Sequence, residues 1–214
     1  METYGDLKEA VITGEADQVK NMVKAYITKG DNPLGIISDG LVSAMAVVGQ
    51  RMKSGEMYIP EVLASAQAMR GGMDLLKPLI SGEKSSSIYT GKVVIGTVQG
   101  DVHCIGKNIV SMMLESSGFA IVDVGEDVPA SKFVEAVERE KPDILGLSAL
   151  LTITIGNMKE VIAALNKKGL RKQVKVIIGG APVNQGFADS IGADGYAPDA
   201  AAAVDKVKQL IGKA

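Results

Sequence analysis

One stretch of the chain combines residue types and spacing that can do chemistry: Gln99, Gly100, Asp101, Val102, His103, Cys104, Ile105, Gly106, Lys107 and Asn108. His103 is the only histidine among the 214 residues, and Asp101 stands two positions before it. At that spacing a carboxylate can accept a hydrogen bond from one ring nitrogen while the other faces outward, which fixes the tautomer of a metal-ligating histidine. Gly100 and Gly106 frame the pair and let backbone approach something bulky. Against this stands the plainer reading of an ordinary loop in which Asp101 caps a helix.

A single histidine cannot build an ordinary zinc site, which takes three or four protein ligands. It can serve as the axial ligand of a metal already held in plane by a macrocycle, so haem and corrinoids are the candidates. Cys104 is a further conceivable ligand or redox thiol, since a helix N-terminus lowers a thiol's pKa. As the only cysteine in the chain it reads better as a small buried residue.

The elements around this loop place it. Val93–Val98 is an apolar run of strand length, and Ile105, Ile109, Met112 and Met113 recur at helical spacing up to Gly118. The loop therefore joins a strand to a helix, where open α/β sheets hold their ligands. Further apolar runs at 120–124, 144–147, 174–178 and 195–196 read as strands. Helical patterns at 131–140, 157–168, 183–191 and 199–211 alternate with them or close the chain. Strands alternating with helices predict a parallel sheet with right-handed crossovers, a doubly wound, flavodoxin-like (Rossmann-like) α/β domain over 92–214. A Lys/Glu-rich segment, Glu135–Lys141, reads as a solvated helix face.

Before it, the chain shows no strand pattern. Four amphipathic stretches predict an all-α four-helix bundle over 1–82: Leu7 to Val11, Val19 to Ile27, Leu34 to Met52, and Pro60 to Leu76. Gly71-Gly72 in the last stretch suggests a bend or a close approach. The polar, serine-rich run Ser81–Ser87 is the sharpest composition shift, and 83–91 reads as a linker. A net charge of −2 gives no reason to expect nucleic acid or an anionic membrane. With one cysteine, no signal peptide and no long apolar span, a cytoplasmic protein is the expectation.

Two more strand ends complete the pattern. The third strand runs into Ser148, Ala149, Leu150, Leu151, Thr152, Ile153 and Thr154; the fourth runs into Gly179, Gly180, Ala181 and Pro182. Small residues at both ends open a slot between strands, and the hydroxyls offer hydrogen bonds inside it.

Asp101-X-His103-X-X-Gly106, then Ser148-X-Leu150, then Gly179-Gly180 resembles the signature of base-off, His-on cobalamin-binding domains. Gly55 to Leu63 and Ala66 to Met69 are similar to the helical cap of methyl-carrying corrinoid proteins. The resemblance implies a cobalt corrinoid with His103 as metal ligand, Asp101 as its hydrogen-bond partner, and a tail slot lined by Ser148, Leu150, Gly179 and Gly180. It extends less specifically to Thr152, Ala181, Tyr196 and Ala200, and to Gln99, Val102, Cys104 and Ile105 around the histidine. Methionine synthase, which shares the domain, has a serine relay residue where this chain has Thr154. Tyr58, Val62 and Met69 are either cap residues or bundle core.

The family's role is to carry a methyl group through a Co(I)/methyl-Co(III) cycle. A substrate-specific methyltransferase loads it and a second one passes it to a thiol or pterin, with a reductive activase as a further candidate partner. The methyl donors served by such systems are methanol, methylamines, glycine betaine or aryl methyl ethers. The subunit alone is expected to turn over little. Open alternatives are the B12 subunit of an adenosylcobalamin mutase, a B12-sensing regulator, and a flavodoxin-like signalling domain.

Overall fold

The computed structural model describes residues 4–80 and 89–212. The chain divides into two compact units, one built on the helical N-terminal part and an α/β unit that begins at Gly91. Most of the segment expected to be a linker, 83–91, lies outside the described residues, and its last residue, Gly91, opens the first strand.

The helical unit contains α1 (Gly5–Ile12), α2 (Ala16–Lys29), α3 (Pro33–Gly35), α4 (Ser43–Ser54) and α5 (Ile59–Leu76). A π-helical segment, Ile36–Val42, joins α3 to α4 in one continuous rod. Pro33 starts it, with the Asn32 side chain accepting from the Leu34 N–H at 3.1 Å. Within this 22-residue stretch, Pro33–Ser54, an 18-residue window has a mean hydropathy of 1.3, and the stretch is long and apolar enough by composition to cross a membrane. That corrects the expectation of no long apolar span. The apolarity serves the bundle: Ile36, Ile37, Leu41, Ala44, Met45 and Val48 are all buried.

Gly72 marks a close approach rather than a bend. A Cβ there would lie 3.1 Å from Val19 and 3.2 Å from Leu41, and α5 runs through it unbroken. Ser65, buried, donates its hydroxyl to the Ile12 carbonyl at 2.9 Å and ties α5 to the end of α1. Val62 and Met69 are bundle core, whereas Tyr58 is 71% exposed.

The second unit is a five-stranded parallel sheet in the order β2-β1-β3-β4-β5. Its strands are β1 (Gly91–Thr97), β2 (Phe119–Asp123), β3 (Ile144–Ser148), β4 (Lys175–Gly179) and β5 (Gly195–Ala197). Between them run α6 (Ile105–Ser116), α7 (Ala130–Glu140), α8 (Gly156–Lys167) and α9 (Gln185–Ile191), and α10 (Ala200–Leu210) follows β5. The inner strands read as continuous apolar runs because both faces are covered. On one face Val94, Leu145, Val176 and Ile178 pack with Phe133, Val137, Met158 and Leu165 from the helices. The winding reverses between β2 and β3, so the right-handed crossover from β1 to β2 places α6 on the other face.

Element boundaries differ from the sequence expectation by a residue or two, and α9 shows why. It begins at Gln185 rather than at Val183 because the Asn184 side chain accepts from the Phe187 N–H at 2.9 Å and caps the helix there. The strand order creates one topological switch point, between the carboxyl ends of β1 and β3, and a ligand of such a sheet belongs there.

Candidate functional site

The loop after β1 and the loop after β3 meet at that switch point, and Asp101 is the residue that joins them. Its side chain is fully buried and accepts from five donors. Oδ1 receives the His103 N–H at 3.1 Å and faces His103 Nδ1 at 2.8 Å. Oδ2 receives the Leu150 N–H at 2.8 Å, the Leu151 N–H at 3.0 Å and the Thr154 hydroxyl at 2.7 Å. None of these donors belongs to α6, so Asp101 does not cap that helix.

Burial by itself would raise the carboxyl's pKa. The N–H of Leu151, the hydroxyl of Thr154 and the ring and N–H of His103 outweigh it and hold Asp101 well below the usual carboxylate range. An ionised carboxylate only accepts, so Nδ1 carries the proton of the neutral imidazole and Nε2 keeps a lone pair. The His103 side chain is 45% exposed, and that lone pair is available to a ligand.

Thr97, fully buried, donates its hydroxyl to the His103 carbonyl at 3.2 Å, fixing the backbone as well as the ring. Among the described residues no group of three or more His, Cys, Asp and Glu could hold a metal ion. The donor set therefore suits a metal that brings its own in-plane ligands. Cys104 is not a thiolate in waiting. A hydrogen bond to Glu126, burial and the Glu126 charge push its thiol up, against a smaller opposing pull from Lys107.

Around His103 the surface is apolar where an empty loop would be polar. Val102, Ile105, Leu150, Leu151 and Ile153 are all exposed, Ile105 by 77% and Ile153 by 86%. Beyond its chain neighbours and the backbone of its own helix, none of the described residues lies within 4 Å of where a Gly106 Cβ would sit, which leaves room for a bulky planar group. Leu151 and Ile153 are additions to the residues singled out from sequence, where an isoleucine between two threonines gave no sign of being outside the core.

The second cluster lies one strand over. Ser148 is in register with Thr97 on one side and Gly179 on the other, and the Ala149 N–H donates to the Gly179 carbonyl at 3.3 Å. Gly180 has φ +127°, and a Cβ there would lie 1.8 Å from the Ala149 oxygen, so only glycine allows these two loops to approach. Gly180, Ala181, Thr152 and Gln99 are exposed. Tyr196 stands in mid-β5 opposite Ile178, the residue before Gly179, and packs partly on the core, while Ala200 is buried at the start of α10.

A B12 binding domain model matches residues 91–205, and a second B12 binding domain model matches residues 4–77. Dimethylamine corrinoid protein 1 of Methanosarcina acetivorans is 46% identical over 98% of this chain and 98% of its own length. The chain belongs to the corrinoid protein family. The trimethylamine corrinoid protein of Methanosarcina barkeri is 41% identical over 98% of this corrinoid protein and 97% of its own chain. A solved methanol:cobalamin methyltransferase complex from Methanosarcina barkeri superposes with a TM-score of 0.88 at 34% identity, covering 97% of this chain and 79% of that one. A cobalamin-binding protein from Desulfitobacterium hafniense superposes at 0.74, also at 34% identity, covering 96% of this chain and 97% of that one. The cofactor of this corrinoid protein is thus a cobamide with cobalt at its centre, and a lone imidazole in an apolar, glycine-relieved surround fits that group.

Proposed function

We propose that this corrinoid protein is the methyl carrier of a methylamine methyltransferase system, with His103 as the cobalt's axial ligand. The observation that carries the reading is the Asp101–His103 hydrogen bond of 2.8 Å at the mouth of the switch point. When bound, the corrinoid supplies a cobalt that takes up a methyl group and gives it away.

The chain's own residues position and protect. Asp101 holds the proton on Nδ1 and so aims Nε2 outward. Thr154 and the amides of Leu150 and Leu151 hold Asp101. Val102, Ile105, Leu150, Leu151 and Ile153 form an apolar seat that keeps water away from the histidine. Ser148, Gly179, Gly180 and Ala181 line a slot for the cofactor's nucleotide tail, with Thr152 and Gln99 at its exposed margins. Tyr196 and Ala200 form the far wall, beside the base end of the tail. We assign residues 1–82 as the helical domain, 83–90 as the linker and the chain from Gly91, which opens β1, as the corrinoid-binding domain.

Methylamines are favoured as the source of the methyl group because relatives named for dimethylamine and trimethylamine align along nearly the whole chain. A substrate-specific methyltransferase is the first partner, as in the solved methanol complex. A second methyltransferase acting on a thiol or pterin, and a reductive activase, complete the cycle in the cytoplasm. The subunit alone turns over little, since the site offers one imidazole and one committed carboxylate.

The test is reconstitution with cobalamin and EPR of the Co(II) state. Superhyperfine splitting from one nitrogen that responds to ¹⁵N-histidine and disappears in His103→Ala supports the assignment. Splitting from the benzimidazole nitrogen, or no binding, overturns it. Methyl transfer from mono-, di- and trimethylamine with the matching methyltransferases then tests the substrate class.

A further inference from the structure

We propose that Asp127 is a positioning residue for His103, gripping the Gly100–Asp101 segment from the neighbouring loop so that the imidazole is presented in one orientation. The proposal rests on the reading of His103 as the axial ligand.

Asp127 lies between β2 and α7. Its N–H donates to the Asp101 carbonyl at 2.9 Å, and its Oδ1 accepts from the Gly100 N–H at 2.6 Å. One residue thus holds both sides of the peptide that leads into Asp101. It does so from a left-handed backbone, φ +52°, which is uncommon outside glycine and turns the N–H and the carboxylate toward the same neighbour. A strained residue of this kind persists where surrounding contacts hold it.

The contacts here are continuous. The Thr97 N–H donates to the Gly125 carbonyl at 3.0 Å, the Val128 N–H to the Thr97 carbonyl at 3.0 Å, and Val98 bridges Val128. The pairing of β1 with β2 is thereby carried past the strand ends to the base of the histidine loop. Glu126, beside Asp127, engages the Cys104 thiol, so consecutive residues hold the loop on both sides of His103. From α8 the Asn157 side-chain amide donates to the Gln99 carbonyl at 2.6 Å. These contacts fall on the backbone of the loop, at Thr97, Gln99, Gly100 and Asp101, and act on the ring through it.

Three substitutions separate the side chain from the backbone. Asp127→Gly keeps the left-handed conformation and loses the carboxylate. Asp127→Ala loses both. Asp127→Asn keeps an acceptor for Gly100 and tolerates the conformation. The chain has a single histidine, so long-range ¹H–¹⁵N spectra of the ¹⁵N-labelled apoprotein, at alkaline pH, read its tautomer without ambiguity.

The wild type and Asp127→Asn are expected to show the Nδ1–H form alone, and Asp127→Gly and Asp127→Ala a mixture. Cobalamin should bind about 10-fold more weakly to Asp127→Gly, the lower end of what loss of an outer partner costs a metal site, with an unchanged melting temperature. A wild-type tautomer and affinity in Asp127→Gly overturn the proposal. So does an equal loss of stability in all three variants with the tautomer intact, which marks a merely structural residue. If the tautomer responds as expected but wild-type cobalamin shows no histidine splitting, the positioning role stands and the axial assignment fails.

Discussion

Thr154 and Gly100 are fitted to each other. The Thr154 hydroxyl donates to Asp101 Oδ2 at 2.7 Å, while its methyl carbon lies 3.4 Å from where a Gly100 Cβ would be. The methyl that distinguishes threonine from serine therefore rests against a glycine, and the hydroxyl keeps its line to the carboxylate. Thr154→Val should leave Oδ2 one donor short and weaken cobalamin binding by roughly 10-fold or more, whereas Thr154→Ser should stay near wild type. Isothermal titration of the three proteins checks this; equal affinities would remove the hydroxyl from the site.

Gly180→Ala tests the approach of the two slot-forming loops. With φ +127° and the Ala149 oxygen 1.8 Å from the new Cβ, backbone must move before the methyl can be placed. A cost of about 2–4 kcal/mol is expected from combined strain and overpacking. Urea denaturation measures it, and cobalamin affinity should fall as well because the slot's wall has moved. Gly106→Ala is the control at the other end of the site, since beyond its own helix and chain neighbours none of the described residues lies within 4 Å there. It should be close to neutral for folding and should reduce only binding.

The sheet was legible in the sequence because strand and helix periodicities differ and the inner apolar runs are covered on both faces. The Asp101–His103 pair was legible because two residues of chain separation leave few geometries open. The other partners of Asp101 were not. Leu150 and Leu151 contribute backbone N–H groups, which no side-chain pattern advertises, and Asp127 is brought to Gly100 by the ladder between β1 and β2 rather than by any local motif. Lys107 was hidden for a related reason. A lysine on a helix reads as solvated, yet this one is buried between Asp123 and Asn108 at the foot of α6.

Asp194 should govern part of the acid stability at the opposite end of the sheet. Burial raises its pKa, but the Val176 N–H at 2.8 Å, Arg171 at 2.6 Å and Lys175 at 3.3 Å more than compensate and hold it low. A carboxyl with a depressed folded pKa contributes stability above its unfolded value, near pH 4, and loses it as pH falls through the folded value. Asp194→Asn should therefore cost about 2–3 kcal/mol at neutral pH, typical of charge-assisted hydrogen bonds. The gap to wild type should narrow below about pH 4. Chemical denaturation of the two proteins across that range checks the sign; a gap that widens in acid would contradict it.

Ile153 and Ile105 offer the sharpest separation of folding from function. At 86% and 77% exposed they bury almost nothing in the protein alone, so replacing either with serine should change stability by no more than about 0.5 kcal/mol. If they seat the corrin ring, each complex loses the burial of a large aliphatic side chain, about 1.5–3 kcal/mol when complete. That corresponds to roughly 10- to 150-fold in affinity, less where burial is partial. Ile153→Glu should weaken binding further by bringing a charge that must be desolvated. The Co(II) EPR signal of whatever cofactor does bind should keep its histidine splitting, because Asp101, Thr154 and the loop amides still orient His103. Full affinity in Ile153→Glu would place the corrin elsewhere on this surface, and lost splitting with full affinity would assign the residue to orientation instead of seating.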